Sequence, residues 1–220
     1  MLIRHIAHAE FFIETESGVR IVTDPYDAGC GYPLMQTAAD IVLVSHHHHD
    51  HDAVENLKGS PRIIDTAGEY VPEADVKVTA IRGFHDDEEG KKRGKTLLFL
   101  LESEGLRIAH MGDLGCALSK EQAAILNQPD VLMIPVGGFY TIDAEMAKEI
   151  ADQIGARMIL PMHYKTEYNK DWPISGPDAF LDLYDSADIC LGAEALRVTK
   201  DDLECQPKIV VFNPASAARN

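Results

Sequence analysis

Ser45-His46-His47-His48-His49-Asp50-His51-Asp52 follows directly on the apolar run Ile41-Val42-Leu43-Val44, and this junction decides how the chain is read. The apolar run is continuous, as a strand buried on both faces requires. Five of the chain's ten histidines then crowd the end of that strand. An expression tag would sit at a terminus and would not be interrupted by carboxylates. A solvated histidine surface would set imidazoles against one another on protonation, whereas a metal ion gives them a shared partner. In an extended segment, positions i and i+2 project to the same side, so His46 and His48 can grip one ion, with His47 and His49 as spacers. Asp50 and His51 are adjacent where the chain turns into the next element, expected to be a helix, and can face a second ion. Two divalent ions are the expectation.

Upstream, residues 10–15 and 19–24 alternate around Ser17-Gly18 and read as a β-hairpin ended by Pro25. Downstream, residues 52–58 predict a short helix closed by Gly59, and strands are expected over 62–65, 76–81, 96–101 and 106–109. The second half alternates: helices over 119–126, 143–154 and 177–184, strands over 131–136, 158–162, 189–191 and 209–212. A strand-rich first half followed by β/α alternation, with no low-complexity linker, predicts a single α/β domain over residues 1–220 in which helices cover two packed sheets.

The 220 residues are 45% hydrophobic and 25% charged, an ordinary globular composition that excludes disorder and fibre. No apolar stretch approaches the ~20 residues of a membrane helix. The first residues carry His5, His8 and Glu10 among their hydrophobics, so they do not read as a signal peptide, and a cytoplasmic location is expected. A net charge of −16 disfavours a nucleic-acid partner, leaving a small molecule as the expected substrate. The four cysteines lack the C-x-x-C pairing of a zinc knuckle.

Three further segments join the histidine run: Gly83-Phe84-His85-Asp86, Met111-Gly112-Asp113-Leu114-Gly115 and Leu160-Pro161-Met162-His163-Tyr164. With H-x-H-x-D-H, they make the chain similar to the metallo-β-lactamase superfamily from Ile3 to Pro214. The nearest resemblance is to the Zn-dependent hydrolase branch related to ascorbate-6-phosphate lactonase and N-acylphosphatidylethanolamine phospholipase D. The resemblance implies a four-layer αββα sandwich with the metals at one edge. It implies His46, His48 and His85 on one ion, Asp50, His51 and His163 on the other, and Asp113 bridging, with Asp50 and Asp113 counted as catalytic. Zn2+ is the first choice, with Mn2+, Fe2+, Co2+ and Ni2+ compatible with the same donors.

His110 lies closer in sequence to Asp113 than His85 does. A separation of three residues along a regular strand sends 110 and 113 to opposite faces, however, while His85 follows Gly83, where the chain can leave the sheet. Asp24 resembles the family's Asp-Pro and would orient a ligand histidine; His8 is a further candidate. Gly137-Gly138-Phe139-Tyr140-Thr141 precedes a helix N-terminus, where Tyr140 and backbone N–H groups could meet an anion. The cluster Lys91, Lys92, Arg93 and Lys95 reads as a solvated hairpin tip, with substrate contact by Arg93 as the alternative. Cys116 stands where the nearest resemblance implies a histidine.

Two ions sharing Asp113 would share a water and lower its pKa toward ~7, making a hydroxide to attack an ester, lactone or phosphoester bond of a small, anionic substrate. The alternatives are a phosphodiesterase or nuclease of the same fold, and a metal-binding module without turnover.

Overall fold

β1 (Leu2–Ala7), β2 (Glu10–Glu14) and β3 (Arg20–Thr23) form an antiparallel meander in the computed structural model, which describes residues 1–34 and 36–213. Pro214, where the resemblance ends, lies outside the described residues. β4 (Ile41–Leu43) and β5 (Arg62–Ile64) add to this sheet in parallel. Then come β6 (Gly68–Glu73), β7 (Val76–Phe84), β8 (Lys95–Ser103), β9 (Leu106–His110), α1 (Lys120–Ile125), β10 (Val131–Pro135) and α2 (Ala144–Ile154). β11 (Met158–Met162), α3 (Asp178–Leu181), β12 (Ile189–Ala193), β13 (Leu196–Arg197) and β14 (Ile209–Phe212) complete the order. The sheets run β13-β1-β2-β3-β4-β5 and β12-β14-β11-β10-β9-β8-β7-β6.

Period-2 alternation explains how the sheets stack. Leu97, Phe99 and Leu101 on β8 and Ile41 and Leu43 on β4 point between the sheets into one apolar core. Leu98 and Leu100 point outward, where they meet Ala147, Ile150, Ala151 and Ile154 of α2. The outer face of the six-stranded sheet packs Val42 and Val44 against Tyr26, Tyr32 and Cys30. Loops and two 3-10 turns, Ala28–Cys30 and Val54–Asn56, cover it in place of α-helices. The mixed α/β fold of two packed sheets is therefore as expected, with one outer layer irregular.

Several element boundaries differ from expectation. The helix predicted over 52–58 is only the 3-10 turn Val54–Asn56, because Lys58 exchanges backbone hydrogen bonds with Thr37 and Ala39 and is held extended. The helix over 177–184 shrinks to α3. β7 runs on to Phe84 because its pairing with β8 continues through Gly83, so the chain leaves the sheet after position 84. β1, β6 and β13 carry no strict alternation and were not anticipated. Among the described residues, no helix is long and apolar enough to cross a membrane.

Strand direction then decides where chemistry can gather. β1 lies antiparallel to β2, and β2 to β3, so β1, β3 and β4 all end on one edge. β7, β9, β10 and β11 likewise share a direction.

Candidate metal centre

Each site residue comes shortly after a strand end: His8 after β1, Asp24 after β3, His46 after β4, His85 after β7, Asp113 after β9 and His163 after β11. Three of these turn sharply, with φ of 55° at His8, 39° at Asp24 and 52° at His163. A non-glycine residue in the left-handed region costs about 1–2 kcal/mol, and here it folds the side chain back over the sheet edge. At Asp113 the turn falls on the preceding glycine: Gly112 has φ 47°, and an added Cβ would come within 2.6 Å of the Leu97 carbonyl oxygen.

The donor atoms gather in two groups around one carboxylate. His46, His48 and His85 offer nitrogens within 4.8 Å of one another, and three imidazole nitrogens of His8, His51 and His163 lie equally close together with a carboxylate oxygen of Asp50. Between them, Asp113 Oδ2 lies 3.2 Å from both His85 Nε2 and His163 Nε2, 3.3 Å from His51 Nε2 and 3.9 Å from His46 Nε2. The spacer histidines turn away, His47 to Asp52 and His49 to Asp27.

Hydrogen bonds at the back of the site aim the nitrogens. Asp24 accepts from His51 Nδ1 at 3.0 Å and from the Ser45 backbone N–H and hydroxyl, both at 2.7 Å. The Ser45 hydroxyl proton is thus committed to Asp24, so the same oxygen accepts from His46 Nδ1–H at 2.9 Å. Both imidazoles consequently turn Nε2 toward Asp113. Ser45 had not been singled out in the sequence, although its place before the first histidine is a local signal. His8 Nε2 contacts Asp50 Oδ2 at 3.3 Å.

His110 lies elsewhere. It pairs opposite Phe99 and Met133, its Nε2–H donates to the Ala9 carbonyl at 3.0 Å, and its Nδ1 accepts from the Gly112 N–H at 3.2 Å. Both nitrogens are satisfied away from the cluster.

The electrostatics fit a cationic occupant. Burial alone would raise Asp113, yet His163 and His51 outweigh it and hold the carboxyl well below its ordinary range. Burial opposes charge on His51, but Asp113 and Asp24 raise its pKa well above the ordinary imidazole value. The buried His51 Nε2 and Asp113 Oδ1 have no hydrogen-bond partner. Buried polar atoms are seldom left so, and a divalent cation would satisfy both.

Residues 2–163 match the beta-lactamase superfamily domain. A protein of Thermotoga maritima, described as a Zn-dependent hydrolase of the metallo-β-lactamase superfamily, is 38% identical, with 96% of this chain and 97% of that one covered and a TM-score of 0.79. The chain belongs to the metallo-β-lactamase superfamily. A UPF0173 metal-dependent hydrolase from Thermoplasma volcanium is 30% identical over 72% of this chain and 81% of its own length. A metallo hydrolase from Ignicoccus hospitalis, 23% identical over 97% and 95% of the two chains, shares the fold with a TM-score of 0.68. This superfamily member is accordingly a metal-dependent hydrolase with a His/Asp cluster able to bind metal.

The hydrolase opens above the cluster into a cleft of about 830 Å³. Lys92 and Arg93 line one wall, and Tyr140, Trp172 and Pro173 also border it. Of the basic cluster, Lys91 and Lys95 are exposed as a solvated tip would have them, while Lys92 and Arg93 border the cleft. Asp86 builds the loop: the buried carboxylate accepts from the backbone N–H groups of Glu88, Gly90, Lys92 and Arg93 at 2.8–2.9 Å. Burial opposes ionisation of Asp86, but these four donors lower its pKa to about 2. The Arg93 guanidinium lies 5.6 Å from the ring centroid of Tyr140 and 5.9 Å from that of Phe139. Lys92 is tied to Asp87 and Glu88, whereas Arg93 pairs with no carboxylate among the described residues. Trp172 was missed from sequence, since only tertiary contact brings it edge-on to His8 at 5.2 Å.

Proposed function

We propose that this hydrolase works with two divalent ions, zinc first, and cleaves an ester, lactone or phosphoester bond in a small anionic molecule. The observation that carries this reading is the convergence of four imidazole nitrogens on Asp113 Oδ2, with one donor group on either side. His46, His48 and His85 would hold one ion, Asp50, His51 and His163 the other, and Asp113 would face both. When bound, the ions supply Lewis acidity and a water acidified from pKa 15.7 toward ~7.

The chain's own residues do the rest. Asp24 orients His51, Ser45 orients His46, and His8 steadies Asp50. Arg93, stacked on Tyr140 and free of a carboxylate partner among the described residues, is the group that would receive the substrate's negative end. Trp172, 6.3 Å from the Tyr140 ring, and Pro173 add apolar lining to the cleft and would shed water from an apolar body. The net charge of −16 argues against a polyanionic nucleic acid in the cleft. The apolar core shared by both sheets supports one functional domain.

The test is metal analysis followed by a panel of lactones, esters and phosphoesters. About two ions per chain are expected, with hydrolysis lost to chelator and regained on adding metal. Asp113→Asn should remain folded and lose more than about 100-fold in turnover. Full activity in metal-free protein, or near-normal turnover in folded Asp113→Asn, would overturn the reading.

A further inference from the structure

We propose that Asp27, Cys30 and His49 form a separate cation site at the rim of the cleft, taking a zinc-like divalent ion through one carboxylate oxygen, one thiolate and one imidazole nitrogen. The three donor atoms lie within 4.8 Å of one another. Asp27 Oδ1 is 3.1 Å from His49 Nδ1 and 3.9 Å from Cys30 Sγ. Tetrahedral zinc with bonds of ~2.0–2.1 Å to N or O and ~2.3 Å to S spaces its donors by ~3.3–3.5 Å. The observed separations bracket that range, so small side-chain shifts would close the site.

Local structure explains why these three meet. Asp27 caps the 3-10 turn Ala28–Cys30, accepting from the Gly29 N–H at 2.8 Å, and the three-residue period of the turn brings Cys30 over Asp27. His49 arrives from the histidine run, tied by the Asp27 N–H to its own carbonyl at 3.1 Å. A second observation is the space beside the donors. A Cβ on Gly29 would sit 3.0 Å from Asp27 Oδ1 and 3.7 Å from His49 Nδ1, so the absence of a side chain keeps that space open. Gly29 and His49 both line the cleft, which leaves the remaining coordination position accessible from it.

The His49–Asp27 hydrogen bond and the backbone bond already join the two segments. No residue here is shared with the two donor groups around Asp113. Burial, then the charges of Asp50 and Asp27, keep the Cys30 thiol protonated while no cation is present. On binding, the S–ion bond forms as the thiol proton leaves to solvent. An occupied site would lock the 27–31 loop against the histidine run and set the width of the cleft mouth.

The experiment loads the full chain with Co2+ under reducing conditions and reads stoichiometry together with the near-ultraviolet cysteinate-to-cobalt charge-transfer band. Nitrogen and oxygen ligands alone do not produce that band. Wild type should show the band and about three ions per chain. Cys30→Ala and His49→Ala should each lose the band and about one ion; His49 is exposed, so its variant keeps the fold even if the Cys30 variant does not. Asp113→Asn should keep the band, which separates this site from the paired-ion reading. Cys116→Ser should keep it as well, assigning the sulfur to Cys30. A wild type without the band, or unchanged stoichiometry and spectrum in His49→Ala, would overturn the proposal.

Discussion

Glu10 shows how far burial moves a single group in this chain. Its carboxyl is buried on β2 and accepts from the Tyr26 N–H at 3.3 Å. Burial, reinforced by the nearby Asp24 charge and opposed by the Tyr26 N–H, raises its pKa to about 8. An unfolded carboxyl ionises near pH 4.5, so above that pH the unfolded chain has lost a proton that the folded one still holds. The stabilisation is complete below about pH 4.5 and is lost as pH rises through about 8. Glu10→Gln keeps the shape and an acceptor for Tyr26 without ionising. Urea denaturation from pH 5 to pH 9 should show the wild type losing roughly a few kcal/mol relative to Glu10→Gln, with the difference levelling off above pH 8. A pH-independent difference would mean that Glu10 is ionised throughout. At this same scale, His46, His48, Asp50 and His51 were legible because their relation is local spacing. The turned backbones of His8, Asp24 and His163 were not, since none of these residues prefers the left-handed region strongly enough to announce it.

α2 is the element in which local code and tertiary role agree. Asp143 accepts from the Met146 N–H at 3.0 Å and Gly155 closes the helix at φ 67°, while Ala147, Ile150, Ala151 and Ile154 bury one face on the eight-stranded sheet. Asp143→Ala leaves the first-turn N–H groups without that acceptor and should cost about 1 kcal/mol in denaturant unfolding, with metal content unchanged. A change below about 0.3 kcal/mol would show that the cap is dispensable. The 3-10 turn at Val54–Asn56 marks the opposite case. Its sequence has helical character, but Thr37 and Ala39 claim the backbone of Lys58, and those contacts come from a segment about 20 residues earlier. β6 and β13 are legible only in company, because a short, half-polar edge strand is defined by the neighbour that pairs with it.

Across the whole molecule, the proposed ligands come from both sheets. His46, His48, Asp50 and His51 follow β4 of one sheet, while His85, Asp113 and His163 follow β7, β9 and β11 of the other. Ions held there would clasp the two sheets at their shared edge. At free metal a thousandfold above Kd, the linkage is worth about 4 kcal/mol, or roughly 10 °C in Tm for a chain of this size. Chelation should lower Tm by that order and raise amide exchange at the C-terminal ends of β4, β7, β9 and β11, leaving the opposite edge protected. An unchanged Tm with uniform exchange would separate the ions from the clasp.

The sequence by itself determined that a buried strand runs into a metal-binding histidine run, that two sheets and a few helices follow, and which later segments carry His85, Asp113 and His163. The first two rest on spacing and periodicity, which are short-range along the chain, whereas His85, Asp113 and His163 were marked only by their segments' resemblance to the superfamily. Only the tertiary structure decided that Arg93 and Trp172 border one cleft, that Asp86 shapes the basic loop, and that His110 is satisfied between the sheets. It alone brought Asp27 and Cys30 beside His49, because the segments after β3 and β4 meet only once those two strands pair, just as the convergence of more distant strand ends depends on how the two sheets stack.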